Sequence, residues 1–128
     1  MTPDDTFADP PQHVFVFGSD LAGRHREGDA LTALRRHGAI YGRGVGPQGG
    51  SYALPVRDEQ DRLLPLAVIA RYVQAFLRFA ATHPDAIFHV SRIGCGRGAY
   101  RDEQIAPLFQ GTPPNCRLPA GWKRYFGR

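Results

Sequence analysis

Leu66, Ile69, Val73, Phe76, Leu77 and Ala80 recur at spacings of three and four residues, one apolar stripe that a helix over Leu66–Ala80 turns to a single side. Such a helix needs a flat apolar partner, and the chain supplies short strand-like runs on both sides of it. His13-Val14-Phe15-Val16-Phe17 is aromatic and β-branched and stops at Gly18. Ser51-Tyr52-Ala53-Leu54 runs up to Pro55, and Ala86-Ile87-Phe88-His89-Val90 follows the helix stop at Pro84. A second helix is expected from about Glu27 to His37, with Gly38 just past its end, and a third from about Arg101 to Phe109. Strands alternating with helices predict an α/β protein with a parallel or mixed sheet.

A chain of 128 residues accommodates one such domain. Residues 1–12, with an acidic and proline-containing sequence, read as a flexible lead, and 13–128 as a single domain without repeat or linker. That lead fits neither a secretory signal nor a transit peptide. No apolar run approaches the ~20 residues of a membrane helix. Cys95 and Cys116, the two cysteines, make neither a disulfide framework nor a four-ligand zinc site, so the expected setting is reducing and cytoplasmic. No metal ligand set and no cofactor is read from the sequence: His13, His25, His37, His83 and His89 show no ligand spacing.

The glycine loops carry the chemistry. Gly44-Val45-Gly46-Pro47-Gln48-Gly49 matches G-x-G-x-x-G in letters only, because a strand-like segment rather than a helix follows it. It also lacks the P-loop lysine, with Gly50 in that place. The stretch Gly42 to Gly50 is therefore read as a loop. Gly94-Cys95-Gly96-Arg97-Gly98-Ala99-Tyr100 has the right context, a strand before it and a helix after it. Alternating glycines let backbone N–H groups converge on an anion, and a following helix N-terminus adds partial positive charge. Arg97 suits a phosphate and Tyr100 a ribose or base; a helix N-terminus beside Cys95 would lower its thiol pKa, but with no partner histidine assignable the residue is read as small and buried. Gly18-Ser19-Asp20-Leu21-Ala22-Gly23 follows the first strand, with Asp20 placed for ligand hydroxyls or for an Asx-turn.

Taken together these segments resemble the macro domain, the ADP-ribose-binding fold, nearest the branch containing the terminal ADP-ribose protein glycohydrolase and the compact macro-like proteins of bacteria and phages. The resemblance is carried by Gly18-Ser19-Asp20-Leu21-Ala22-Gly23-Arg24-His25, Gly28, Ser51-Tyr52-Ala53-Leu54-Pro55 and, most specifically, Arg92-Ile93-Gly94-Cys95-Gly96 with the loop to Tyr100. It implies a three-layer α/β/α sandwich with a mixed sheet that binds ADP-ribose or a related NAD-derived nucleotide. The ligand would meet Ser19, Asp20, Gly28, Arg57, Gly94, Cys95, Gly96, Arg97, Gly98, Ala99 and Tyr100. An ADP-ribosyl hydrolase is the enzymatic alternative, acting on an ADP-ribosylated macromolecule, with Asp20 as its catalytic candidate.

The first loop departs from the family pattern: Glu27 and Asp29 flank Gly28, where small residues are usual. They suit a helix N-terminus and would repel a diphosphate unless Arg24 and Arg26 offset them. Arg57 stands where the glycohydrolase has its nucleophilic lysine, and an arginine that stays protonated cannot replace it. Gly98 stands where that enzyme has an acid.

A net charge of +4 favours anionic partners without choosing among them. Basic residues gather at Arg24, His25, Arg26, Arg35, Arg36, His37 and Arg43, and again with aromatics at Trp122, Lys123, Arg124, Tyr125 and Arg128. This combination leaves a nucleic-acid-binding module as a further alternative.

Overall fold

The computed structural model describes residues 12–96 and 99–127. The expected α/β organisation is present. Five strands, β1 (Gln12–Asp20), β2 (Gly46–Gln48), β3 (Ser51–Arg57), β4 (Ala86–Val90) and β5 (Cys116–Arg117), form one mixed sheet in the order β2-β3-β1-β4-β5. β1 is parallel to β3 and β4, β5 is parallel to β4, and β2 alone is antiparallel, against β3. The helices are α1 (Gly28–Arg36), α2 (Leu66–Ala81) and α3 (Asp102–Ile105), with 3-10 turns at Ala106–Phe109 and Trp122–Tyr125. No helix among the described residues is long and apolar enough to cross a membrane.

Alternation along β1 divides its side chains between two apolar clusters. Val14 and Val16 join Tyr52, Leu54 and Val56 of β3 in the larger cluster, where α2 delivers its stripe: Ile69, Val73, Phe76, Leu77 and Ala80 are all buried there. Phe76 is completely buried, its ring edge-on to those of Tyr52 and Phe88 at 5.0 and 5.5 Å between centroids. Phe15 and Phe17 join Ala53 and Ala33 of α1 in the smaller cluster. α2 begins at Pro65, whose carbonyl accepts from Val68 and Ile69, and stops as Thr82 Oγ1 and His83 Nδ1 close on the carbonyl of Phe79. Asn115 shares its side-chain N–H groups among the carbonyls of Ala80, His83 and Ala86, tying the exit of α2 to the start of β4.

Several boundaries differ from the sequence expectation. Gln12 belongs to β1 rather than to the lead. β3 continues past Pro55 to Arg57; the ladder slips after the Ser19–Pro55 pair, and this irregularity accommodates a residue that has no N–H to donate. The glycine-rich stretch 42–50 is not all loop, since Gly46–Gln48 pairs with Ala53, Tyr52 and Ser51. The third helix is a single α turn that continues as 3-10, because Pro107 lacks the N–H an α-helix needs there.

The crossovers set where a ligand can bind. From β1 the chain passes through α1 to β3 on one side of β1, and from β3 it returns through α2 to β4 on the other. The loops leaving β1 and β4 thus diverge from neighbouring parallel strands, the switch point at which open α/β sheets form their binding crevice.

Candidate functional site

A cleft of about 210 Å³ opens at that switch point. Gly18, Val56 and Arg57 line it from the C-terminal ends of β1 and β3, and Glu27, Asp29 and Ala30 from the first glycine loop and the start of α1. Arg92, Ile93, Gly94, Gly96 and Ala99 line it from the second loop, with Leu63 beside them. Loops separated by more than half the chain therefore share one cleft. A larger groove of about 630 Å³ runs along residues 111–126 and includes Arg117 and Lys123, but holds none of the site residues read from the sequence.

The second loop is shaped by its glycines. Gly94 has a φ of +74°, a left-handed conformation that costs glycine little, and a Cβ there would press on Ile105. Its carbonyl accepts the N–H of Tyr100, closing the turn, and Ala99 N–H donates to Gly96 O. A Cβ on Gly96 would meet nothing within 4 Å, so the cleft wall is open at this position. Arg97 and Gly98 lie outside the described residues.

Arg92 is a rim cation that the sequence reading did not assign to the site. Its Nε and Nη2 donate to the two oxygens of Asp102, at the start of α3, at 2.8 and 3.0 Å. Asp102 also accepts the indole N–H of the buried Trp122 at 2.9 Å. Arg92 and Trp122 together hold the Asp102 carboxyl well below its ordinary range, at about 2. Arg57, opposite Asp20 in the β1–β3 register, turns its guanidinium toward the turn after β3 and donates to Asp61 O at 2.9 Å.

Other predicted residues have different surroundings. Ser19 is buried and its hydroxyl donates to Gly44 O at 2.5 Å, committing it to holding the neighbouring loop. Asp20 accepts from the backbone N–H of Arg24 and pairs with its guanidinium at 3.4 Å, and does not line the cleft. Gly28 opens α1 at φ +59°; its neighbours Glu27 and Asp29 face the cleft, and Glu27, expected to cap the helix, makes no side-chain cap.

The Tyr100 hydroxyl donates to Leu64 O at 2.7 Å and its half-buried ring packs against the larger core cluster. The Cys95 thiol is buried, as expected of a small packed residue, and donates to Ile93 O; its pKa is pushed up to about 12, first by burial and then by the Asp102 carboxylate, rather than lowered by the helix terminus. Burial outweighs the helix terminus, which is only one α turn long.

Of the basic clusters, Arg24 is tied to Asp20 and to the carbonyl of Glu59, and His25 is buried. Trp122 is core rather than surface, while Arg124 lies over the Tyr125 ring. Among the described residues no three His, Cys, Asp or Glu side chains converge as metal ligands.

Two glycine-containing loops, two arginines and two carboxylate residues thus line one cleft. No family model matches the sequence, no curated protein matches it, and no solved structure matches it.

Proposed function

We propose that this chain is a macro-like three-layer α/β/α protein whose cleft binds ADP-ribose or a related NAD-derived nucleotide. One observation carries the reading: both glycine loops and Arg57 border a single cleft at the divergence of the β1 and β4 loops. In this reading the backbone N–H groups of Gly94 and Gly96, with Arg57 and Arg92, hold the diphosphate. Glu27 and Asp29 accept hydrogen bonds from a ribose, a use for carboxylates that would otherwise oppose an anionic ligand. About 210 Å³ is below the ~300 Å³ at which pockets enclose whole small molecules. The cleft therefore grips the diphosphate and one sugar and leaves the base outside.

Binding is favoured over hydrolysis. Asp20 is paired with Arg24 away from the cleft wall, and Arg57 cannot serve as a nucleophile. Calorimetric titration with ADP-ribose, alongside ADP and ribose 5-phosphate, tests the reading. Saturable heat with ADP-ribose is expected, with weaker binding of either fragment. Neither heat nor thermal shift at millimolar ADP-ribose overturns it. Release of ADP-ribose from a modified protein or oligonucleotide, lost in Asp20→Ala, would restore the hydrolase alternative.

A further inference from the structure

Ile40, Tyr41 and Val45 are the large hydrophobic side chains that stand exposed among the described residues, at 43%, 64% and 46%. All three lie on one loop between α1 and β2. Single exposed apolar residues are ordinary, whereas three on one tip mark a contact surface.

The tip is rigidly built. Ile40 to Arg43 close a turn through Arg43 N–H donating to Ile40 O at 3.0 Å, with Tyr41 at its apex. The buried Gln48 accepts Ile40 N–H at 2.8 Å and donates to Arg43 O at 3.0 Å, and the buried His25 ring nitrogen Nε2 reaches the same carbonyl at 3.0 Å. Gly42 N–H donates to Gly23 O at 2.8 Å. Two buried polar side chains thus hold a backbone that presents an aromatic ring between aliphatic neighbours. A surface ordered in advance loses little entropy on binding.

Along the chain the charge flanking the tip has one sign. Residues 30–57 contain Arg35, Arg36, Arg43 and Arg57 and no carboxylate. Arg35, Arg36 and Arg43 are exposed, and none forms an ion pair among the described residues. The last turn of α1, with Arg35 and Arg36, leads directly into the tip, and Arg43 is part of it. A second copy of the chain on this surface would bring like charges together. A protruding ring cannot reach bases stacked inside a duplex.

We infer that the Ile40–Val45 tip with Arg35, Arg36 and Arg43 is a binding platform for single-stranded nucleic acid, its bases stacking on Tyr41 and its phosphates meeting the three arginines. This site is separate from the nucleotide cleft and stands whether or not the cleft binds ADP-ribose.

Fluorescence anisotropy of the full chain with a labelled oligothymidylate of about 20 nucleotides, at several salt concentrations, tests it. The single strand should bind more tightly than a duplex of equal length. Tyr41→Ala should weaken binding about fivefold or more while Tyr41→Phe stays within about twofold. Arg35→Ala and Arg36→Ala should each lower the slope of log affinity against log salt by about 0.7. Thermal melts confirm that the exposed substitutions leave the chain folded. Binding that ignores salt, prefers duplex or survives Tyr41→Ala overturns the inference. So does sedimentation showing a dimer that Tyr41→Ala dissociates, which would assign the tip to a second copy.

Discussion

Arg92 grips Asp102 through two parallel hydrogen bonds, while Trp122 donates to the same carboxylate from the C-terminal segment. The bidentate geometry fixes the plane of the guanidinium, so the rim cation is oriented before any ligand arrives. A surface arginine with the same charge but no partner would lose side-chain entropy on binding.

Asp102→Asn should lower stability only slightly, because Arg92 is largely exposed. The pH dependence is more diagnostic. The folded carboxyl sits at about 2, below its ordinary 3.8, so its contribution is complete above 3.8 and is lost as pH falls from there through 2. Denaturant titrations across this range should show a steeper loss for the native chain than for Asp102→Asn. Parallel acid limbs would remove the ion pair as the cause.

Cys95 should resist alkylation. Its thiol is pushed up to about 12, and burial raises that of Cys116 as well. Because the thiolate is the reactive form, mass spectrometry after iodoacetamide treatment at mildly alkaline pH should find both cysteines unmodified in the folded chain and both modified in denaturant. Rapid labelling of native Cys95 would contradict its burial.

Gly44 and Gly96 should respond oppositely to substitution. A Cβ on Gly44 would overlap the carbonyl oxygen of Asp20 and the backbone of Leu21. Gly44→Ala should therefore cost about 2 kcal/mol or more by chemical denaturation. Gly96 has free space around its Cβ position and lines the cleft. Gly96→Val should stay within about 0.5 kcal/mol of the native chain while losing nucleotide binding. Undiminished calorimetric binding by Gly96→Val would place the ligand elsewhere.

His13 on β1 and His89 on β4 stack with ring nitrogens 2.7 Å apart. Burial first, then His13 and Arg117, lower the pKa of His89 below its ordinary 6.5. A histidine whose folded pKa is depressed binds fewer protons folded than unfolded, so stability is full above 6.5 and declines as pH falls through it. His89→Gln should flatten this decline in urea midpoints measured from about pH 8 to 5. An unchanged slope in His89→Gln would assign the decline to other groups.

Local pattern explains what could be read without coordinates. The stripe from Leu66 to Ala80 follows the helical period, and the apolar runs at His13–Phe17 and Ala86–Val90 have strand length, so α2, β1 and β4 were legible. The loop after β4 was legible as a glycine-shaped turn between a strand and a helix because glycine spacing acts through neighbouring backbone groups. β2 was not, since three residues led by glycine and proline carry no period, and Gly46–Gln48 becomes a strand only by pairing with β3.

Contacts between distant residues were decided by the tertiary structure. Packing joined the two glycine loops at one cleft, buried Cys95, committed Tyr100 to Leu64 and Ser19 to Gly44, and brought Trp122 to Asp102. It also left Tyr41 exposed while burying the Gln48 that clamps its loop. The physical reason is range. Side-chain periodicity and backbone freedom act over a few neighbouring residues, and the chain carries them in its order. Burial, pKa and hydrogen-bond partnership depend on what the remainder of the chain places alongside each residue.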